Sequence, residues 1–330
     1  MKKYRHLSRE ERYQIYGALQ NGASITEISK QLGRSPSTIS RELKRNRGKK
    51  GYRPKQASEF AQERCQEANA RNVKKIPKQL MDKAIEKLKS EQWSPEQISG
   101  RFAADKVGSI SYETIYRYII ADKHSGGSLY LNLRRHNRTY KHRTGSTNTR
   151  GMIKNRRDID TRPACVANRK QVGHWEADTV VGKQTRGNVL VTLVERKSLF
   201  TLTAKATDKT AESVSAVIFK LLEPYSSCVK TITFDNGKEF AFHETIDQCI
   251  GCISYFAHPY HSWERGTNEN TNGLLRQYFP KGESMDNLDS DFILSIQNRL
   301  NNRPRKKLGW RTPAEVFLES FKHRSTVSTN

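Results

Sequence analysis

Asp178, Asp235 and Glu269 stand in three separate polar settings: GHWEADTVVG, TITFDNGKEF and SWERGTNENTNGLLRQYF. Three carboxylates gathered by folding can hold a pair of hard divalent cations, the usual machinery for breaking and joining phosphodiester bonds. Mg2+ takes oxygen ligands in octahedral geometry and keeps some of its water, so a few carboxylates suffice. No GxxxxGK[ST] phosphate loop occurs, so the energy for such chemistry comes from phosphodiester exchange and not from ATP.

Each acid also has a plainer reading. Asp178 lies in a β-run beside Ala177, Val180 and Val181, where an unpaired carboxylate is costly. Glu176, two residues earlier, shares its strand face and is either a rival ligand or a supporting group. Asp235 follows the apolar run Ile232–Phe234. It is either an acid at the rim of a sheet, where ligands bind in α/β folds, or simply the first residue of an Asp-Asn-Gly turn. Glu269 is predicted on a helix, with Arg265, Asn272 and Arg276 on the same polar stripe. That stripe is either solvated or chemical. Asn268, Asn270 and Asn272 are poor helix formers, and their clustering suits groups that orient phosphates, metal-bound water or base edges.

Cys249 and Cys252 form a CxxC, but no second pair completes a zinc site, although His243 and His258 flank it. They read as small, partly buried residues leading into a strand.

The elements that must position the acids follow from periodicity. Strands are predicted over His174–Val181, Val189–Val194, Phe200–Ala204, Val229–Phe234 and Ile253–Ala257. Helices are predicted over Ala211–Leu222, Phe240–Asp247, Trp263–Tyr278 and Phe292–Leu300. Three meandering strands followed by alternating helices and strands imply a mixed sheet with helices on its faces, an order compatible with a ribonuclease-H-like core.

Upstream, Ser8 with Glu11 and Ser24 with Glu27 are capping boxes, Gly22 and Gly33 end helices, and Ser35 caps a third helix with Pro36 in its first turn. This is helix-turn-helix spacing. Ser37, Thr38, Ser40 and Arg41 at the start of the third helix can reach base edges, and Lys44, Arg45 and Arg47 can meet phosphates. Gly48–Pro54 reads as a linker and Gln56–Ala70 as a helix. Leu80–Leu88, the box Ser94–Gln97 and Tyr112–Ile120 make a second unit of similar spacing, richer in tyrosine. A basic connector without hydrophobic periodicity follows. The domain division is therefore 1–50, 51–78, 79–125, 126–170 and 171–330. The fold class is multidomain: all-α helix-turn-helix units, then an α/β domain with a mixed sheet and C-terminal helices.

The 330 residues carry 59 Lys plus Arg against 34 Asp plus Glu, a formal charge of +25. Such an excess points to a polyanion, with nucleic acid ahead of an anionic membrane surface. No apolar run of 18 residues and no signal peptide is present, so a cytoplasmic protein without a membrane partner is expected.

From residue 5 to 318 the chain resembles the insertion-sequence-thirty family of bacterial transposases, within the DDE transposase/integrase superfamily. The matching segments are GHWEADTVVG, TFDNGKEF, HPYHSWERGTNENTNGLLRQYFPKG, NNRPRKKLGWRTPAEVF and the N-terminal LSREERYQIYGALQNGASITEISKQLGRSPSTISRELKRN. Ala177 and Thr179 are mild departures from the pattern. The resemblance implies that Asp178, Asp235 and Glu269 are the catalytic, metal-binding triad for two Mg2+ ions, with Mn2+ able to substitute. The 33 residues between Asp235 and Glu269 fit the family's spacing. It implies binding to double-stranded DNA, both the element's terminal inverted repeats and a target, by a homodimer or higher oligomer. Cleavage frees a 3′-OH, which is then transferred to the target, in the cytoplasm at the nucleoid. Arg265, Asn268, Asn272, Arg276, His258 and Tyr260 are candidate phosphate or DNA contacts near the site. Two other functions compete with this one: a helix-turn-helix regulator with an inert C-terminal domain, and a ribonuclease-H-type nuclease that hydrolyses without joining strands.

Overall fold

The structure, a computed structural model, describes residues 5–72, 76–134, 153–183, 187–259 and 261–327; Tyr260 and residues 135–152 of the basic connector lie outside them. It forms two compact units, Met1–Ile76 and Pro77–Asn330.

In the first unit α1 (Arg9–Gln20), α2 (Ile25–Leu32) and α3 (Pro36–Asn46) start at the expected caps. Ser8 Oγ accepts the Glu11 N–H at 3.1 Å while a Glu11 carboxylate oxygen accepts the Ser8 N–H at 2.7 Å, an arrangement worth about 1 kcal/mol. Gly33 ends α2 at φ +59°, a conformation that costs a side-chain-bearing residue energy. Ile15, Ile28 and Ile39 bury the shared face, and Arg12 pairs with the buried Glu42 at 2.7 Å. Residues 48–54 are not a plain linker. Arg47–Gly48 (β1) and Gly51–Tyr52 (β2) form a tight antiparallel hairpin. Gly51 at φ +97° permits the reversal, and Tyr52 is buried with its hydroxyl donating to Glu42. Helix α4 (Pro54–Asn72) follows.

The second unit opens with α5 (Lys78–Ser90), α6 (Pro95–Ala104) and α7 (Tyr112–His124). Leu80, Leu88, Ile98, Phe102, Ile115 and Ile119 are buried, while Tyr112, Tyr116 and Tyr118 stay exposed. The short α8 (Ala164–Ala167) leads into β3 (His174–Val181), β4 (Val189–Glu195) and β5 (Thr201–Ala206). Then come α9 (Ala211–Leu222), β6 (Thr231–Phe234), α10 (His243–Ile250), β7 (Ile253–Phe256), α11 (Gly266–Leu275), α12 (Ser290–Asn301) and α13 (Pro313–Val327).

The sheet order is β5-β4-β3-β6-β7, antiparallel across the first three strands and parallel across the last three. This is the mixed sheet of a ribonuclease-H-like domain. Odd-numbered β3 residues, Trp175 and Ala177, join the core under α9, α10 and α13, where Phe317 packs edge-on to Trp175 at 5.7 Å. Even-numbered ones face α11 and α12, where Val180 meets Leu274, Leu275 and Ile296.

The α5–α7 bundle is fastened to the C-terminal segment. Arg101 forms two hydrogen bonds to Glu315, at 2.7 and 2.8 Å. Gly100 lies so close under Trp310 that a Cβ there would collide with the indole. No described helix is long and apolar enough to cross a membrane.

Departures from the expected boundaries have a local cause where 3-10 turns intervene. The fourth strand starts at Thr231, because Glu223–Cys228 is a 3-10 turn. The following helix starts at His243, after a separate turn at Lys238–Phe240. The run from Trp263 to Tyr278 is broken: Ser262–Arg265 is 3-10, and the α-helix spans Gly266–Leu275 only.

Candidate active site

Two of the three acids meet because of strand register. In the parallel pair, His174 aligns with Thr231 and Glu176 with Thr233. Carrying that register two steps further sets Asp178 level with Asp235, on the same pleat, where β6 ends. The turn after Asp235 holds its carboxylate, with Gly237 N–H donating to Oδ1 at 2.8 Å. Asp178 Oδ1 accepts the Thr179 N–H at 2.9 Å and its Oδ2 accepts Asn272 Nδ2 at 2.8 Å. Thr192, opposite Asp178 on β4, donates to the Asp178 carbonyl or to Asn272 Oδ1.

A guanidinium lies between the two acids. Arg265 Nη2 is 3.3 Å from Asp235 Oδ2, and its Nη1 is 3.8 Å from Asp178 Oδ2 and donates to the Ala177 carbonyl at 2.9 Å. Burial pushes Asp178 up to about 6, against the opposing charge of Arg265 and with the help of Asp235.

Glu269 lies on the exposed side of α11, and among the described residues the carboxylates of Asp178, Asp235 and Glu269 do not close into one cluster of ligand atoms. Its stripe partners face inward: Arg265 and Asn272 hold the two aspartates, and Arg276 donates to the Val181 carbonyl at 2.9 Å and to Phe279 O at 3.3 Å. Apart from Glu269, the stripe is therefore docked on β3 and not solvated.

Several expected roles change. Asn268 is fully buried and cannot reach DNA; its backbone N–H donates to Glu176 at 3.0 Å. Arg276 is committed to backbone carbonyls and Asn272 to Asp178, so neither is a free phosphate contact. Glu176 is not a rival ligand: it is completely buried and paired with the nearly buried Arg196. His258 is engaged at both ring nitrogens by Glu264, Asp158 and Asp160, and the Glu264 hydrogen bond is the main cause that raises it above its ordinary range. Tyr260 lies outside the described residues. None of the five cysteines forms a disulfide. Cys249 is exposed, and burial pushes the Cys252 thiol far up.

Glu239 was not anticipated. It is buried beside the site, accepts the Thr179 hydroxyl at 3.0 Å and pairs with Lys209 at 3.0 Å. Its signal in the sequence was its place four residues after Asp235, in the one 3-10 turn that follows the strand.

In the first unit Ser37, Ser40, Arg41, Lys44, Arg45 and Arg47 are exposed and Thr38 is half-buried. Thr38, Arg41 and Arg45 line a cleft that Arg64 of α4 completes.

Residues 3–46 match a family model described as a helix-turn-helix domain. Among solved structures, the catalytic core domain of BIV integrase aligns at 22% identity and a TM-score of 0.37, over 46% of this chain and 98% of that one. The transposase of insertion sequence element IS4351 from Bacteroides fragilis is 41% identical, with 98% of each chain covered. The transposase InsI of element IS30A from Escherichia coli K12 is 38% identical, over 94% of this chain and 83% of that protein. With such relatives matched along nearly its full length, the chain belongs to the IS30 family of insertion-sequence transposases.

Proposed function

We propose that the chain binds the terminal inverted repeats of its insertion sequence through the helix-turn-helix unit and cuts and joins DNA strands at Asp178, Asp235 and Glu269. The observation that carries this reading is the parallel register that sets Asp178 beside Asp235 at the strand ends, with Glu269 on the adjoining helix.

The donor set is all oxygen, which suits hard divalent cations, and the guanidinium between the two aspartates marks where positive charge is needed. Asp178, Asp235 and Glu269 would hold two Mg2+ ions, with Mn2+ as a substitute. When bound, such a pair lowers the barrier to attack by a hydroxyl and stabilises the departing oxygen. The chain's own residues do the rest. Asn272 and the Thr179 N–H fix the Asp178 carboxylate, the Gly237 N–H fixes Asp235, and Arg265 keeps the pair together until its charge is replaced. Glu269, exposed at the rim, is free to turn toward the cleft. Water is the first nucleophile and the freed 3′-OH the second.

Ser37, Thr38, Ser40 and Arg41 are placed to read bases, and Lys44, Arg45 and Arg47 to grip phosphates. Two exposed recognition surfaces, on α3 and on the tyrosine face of α7, suit two parts of one DNA end. The working division is 1–50, 51–78, 79–125, 126–170 and 171–330, acting as a homodimer or higher oligomer on DNA in the bacterial cytoplasm.

The test uses the full chain, Mg2+ and duplexes carrying the ends of its own element. Nicked ends with free 3′-OH groups and joined strands are expected, and both products vanish in Asp235→Ala and Glu269→Ala. Full activity in either variant refutes the reading, and hydrolysed ends without joined strands identify a nuclease instead.

A further inference from the structure

A second group of ligating side chains sits immediately before Arg265 and takes no part in the triad. His258 follows β7, and the chain then folds back through His261 to Glu264. Glu264 Oε1 lies 2.8 Å from His258 Nδ1 and 3.3 Å from His261 Nδ1, while Oε2 accepts the His258 backbone N–H at 2.9 Å. Three potential ligand atoms from three side chains therefore converge on one point. Ligands at about 2.0–2.1 Å from a tetrahedral ion stand roughly 3.3 Å apart, close to the two Glu264 distances, and all three ligand atoms lie within 4.8 Å of one another.

The opposite edge of His258 gives an independent indication. Its Nε2 is 3.2 Å from Asp158 Oδ1 and 3.3 Å from Asp160 Oδ2. Both acids are brought there because the backbone at Asp158 bridges to Phe256, at the edge of β7. A histidine that ligates a metal through one nitrogen usually donates its other N–H to a carboxylate, which fixes the tautomer and strengthens the ligand. With Nε2 turned to the aspartates, Nδ1 faces a Glu264 oxygen, a contact that a ring proton satisfies in the free protein and that a cation bound between the two would take over.

We propose that His258, His261 and Glu264 form a binding site for a borderline transition-metal ion of the zinc type, distinct from the all-oxygen site of the triad. Two imidazoles and one carboxylate select such an ion over Mg2+. Three protein ligands leave a fourth position for water or for a phosphate oxygen. The ion ties His258 to the segment 261–264, and Arg265, the next residue, is the one that holds Asp178 and Asp235. This site therefore positions the start of α11 and does not itself react. The inference is independent of the proposed catalytic reading.

Co2+ is the probe, added to the full-length, chelator-treated protein. One equivalent per chain is expected to give the intense visible absorption of a tetrahedral nitrogen/oxygen site, to persist in excess Mg2+, and to raise the unfolding temperature. The spectrum should be unchanged in Asp235→Asn, which removes a triad acid, and in Cys249→Ser/Cys252→Ser. It should be lost in His261→Ala and in Glu264→Gln. His261 is 42% exposed, so its replacement leaves the core intact, as circular dichroism would verify. A weak octahedral spectrum, competition by Mg2+, persistence in His261→Ala or loss in the cysteine variant would each overturn the proposal.

Discussion

Replacing Arg196 by methionine tests whether Glu176 is a supporting group rather than a ligand. Glu176 is 0% exposed and Arg196 5% exposed, and they pair directly. The second carboxylate oxygen of Glu176 takes the Asn268 N–H at 3.0 Å, so this ion pair tethers α11 to β3 one residue before Glu269. Arg196→Met leaves a buried carboxylate with one backbone donor. Breaking a buried pair on one side costs roughly 3–5 kcal/mol. A unit of this size loses about 2–4 °C per kcal/mol, so the unfolding temperature should fall by roughly 6–20 °C. Glu176→Met in the same chain removes the stranded charge and should restore most of the loss, giving a coupling of at least about 2 kcal/mol. All four tryptophans (Trp93, Trp175, Trp263 and Trp310) belong to the second unit, so tryptophan fluorescence during urea unfolding, with chelator present, reports on that unit alone. An Arg196→Met cost below about 1 kcal/mol, or a double variant no more stable than the single one, would refute the reasoning.

Asn272→Ala frees one oxygen of Asp178 without touching the core and should weaken divalent-cation binding about 10–100-fold, read by titration calorimetry with Mn2+; unchanged affinity argues against Asp178 as a ligand. Lys44→Ala should lower DNA affinity almost equally for specific and random duplexes and reduce the slope of log affinity against log salt by about 0.9, as fluorescence anisotropy would show. Glu315 is held down to about 2, chiefly by its hydrogen bonds from Arg101. A depressed carboxylate stabilises the fold above its ordinary 4.5 and stops doing so as pH falls toward 2. At 39% exposure the contribution is about 1 kcal/mol at most. Glu315→Gln should therefore unfold at a lower temperature than the parent at pH 7, and the difference should shrink below 4.5 and close as the pH approaches 2.

The parts legible in the sequence are those written in local chemistry. Ser8, Ser24, Ser35, Ser94 and Ser111 each start a helix where a hydroxyl meets an orphan N–H, and short apolar runs, with alternation only in His174–Val181, located all five strands of the main sheet. What stayed hidden depends on partners distant in the chain. Glu176 and Asp178 look equivalent along one strand face. Only Arg196, brought over by β4's antiparallel pairing, separates a structural acid from a candidate ligand. The stripe Arg265, Asn272 and Arg276 was correctly periodic, but periodicity cannot say which side of a helix meets the sheet. The hairpin after α3 was hidden because its two-residue strands are too short to alternate.

The clasp between Arg101 and Glu315 joins residues 214 apart, and Trp310 closes over Gly100 beside it. The order of synthesis therefore matters. The first unit has its own core and can fold as it emerges, whereas the α5–α7 bundle waits for almost the last residues before its partner surface exists. A chain cut short before Trp310 would keep the core of the first unit intact and leave the α5–α7 bundle without the surface it closes on.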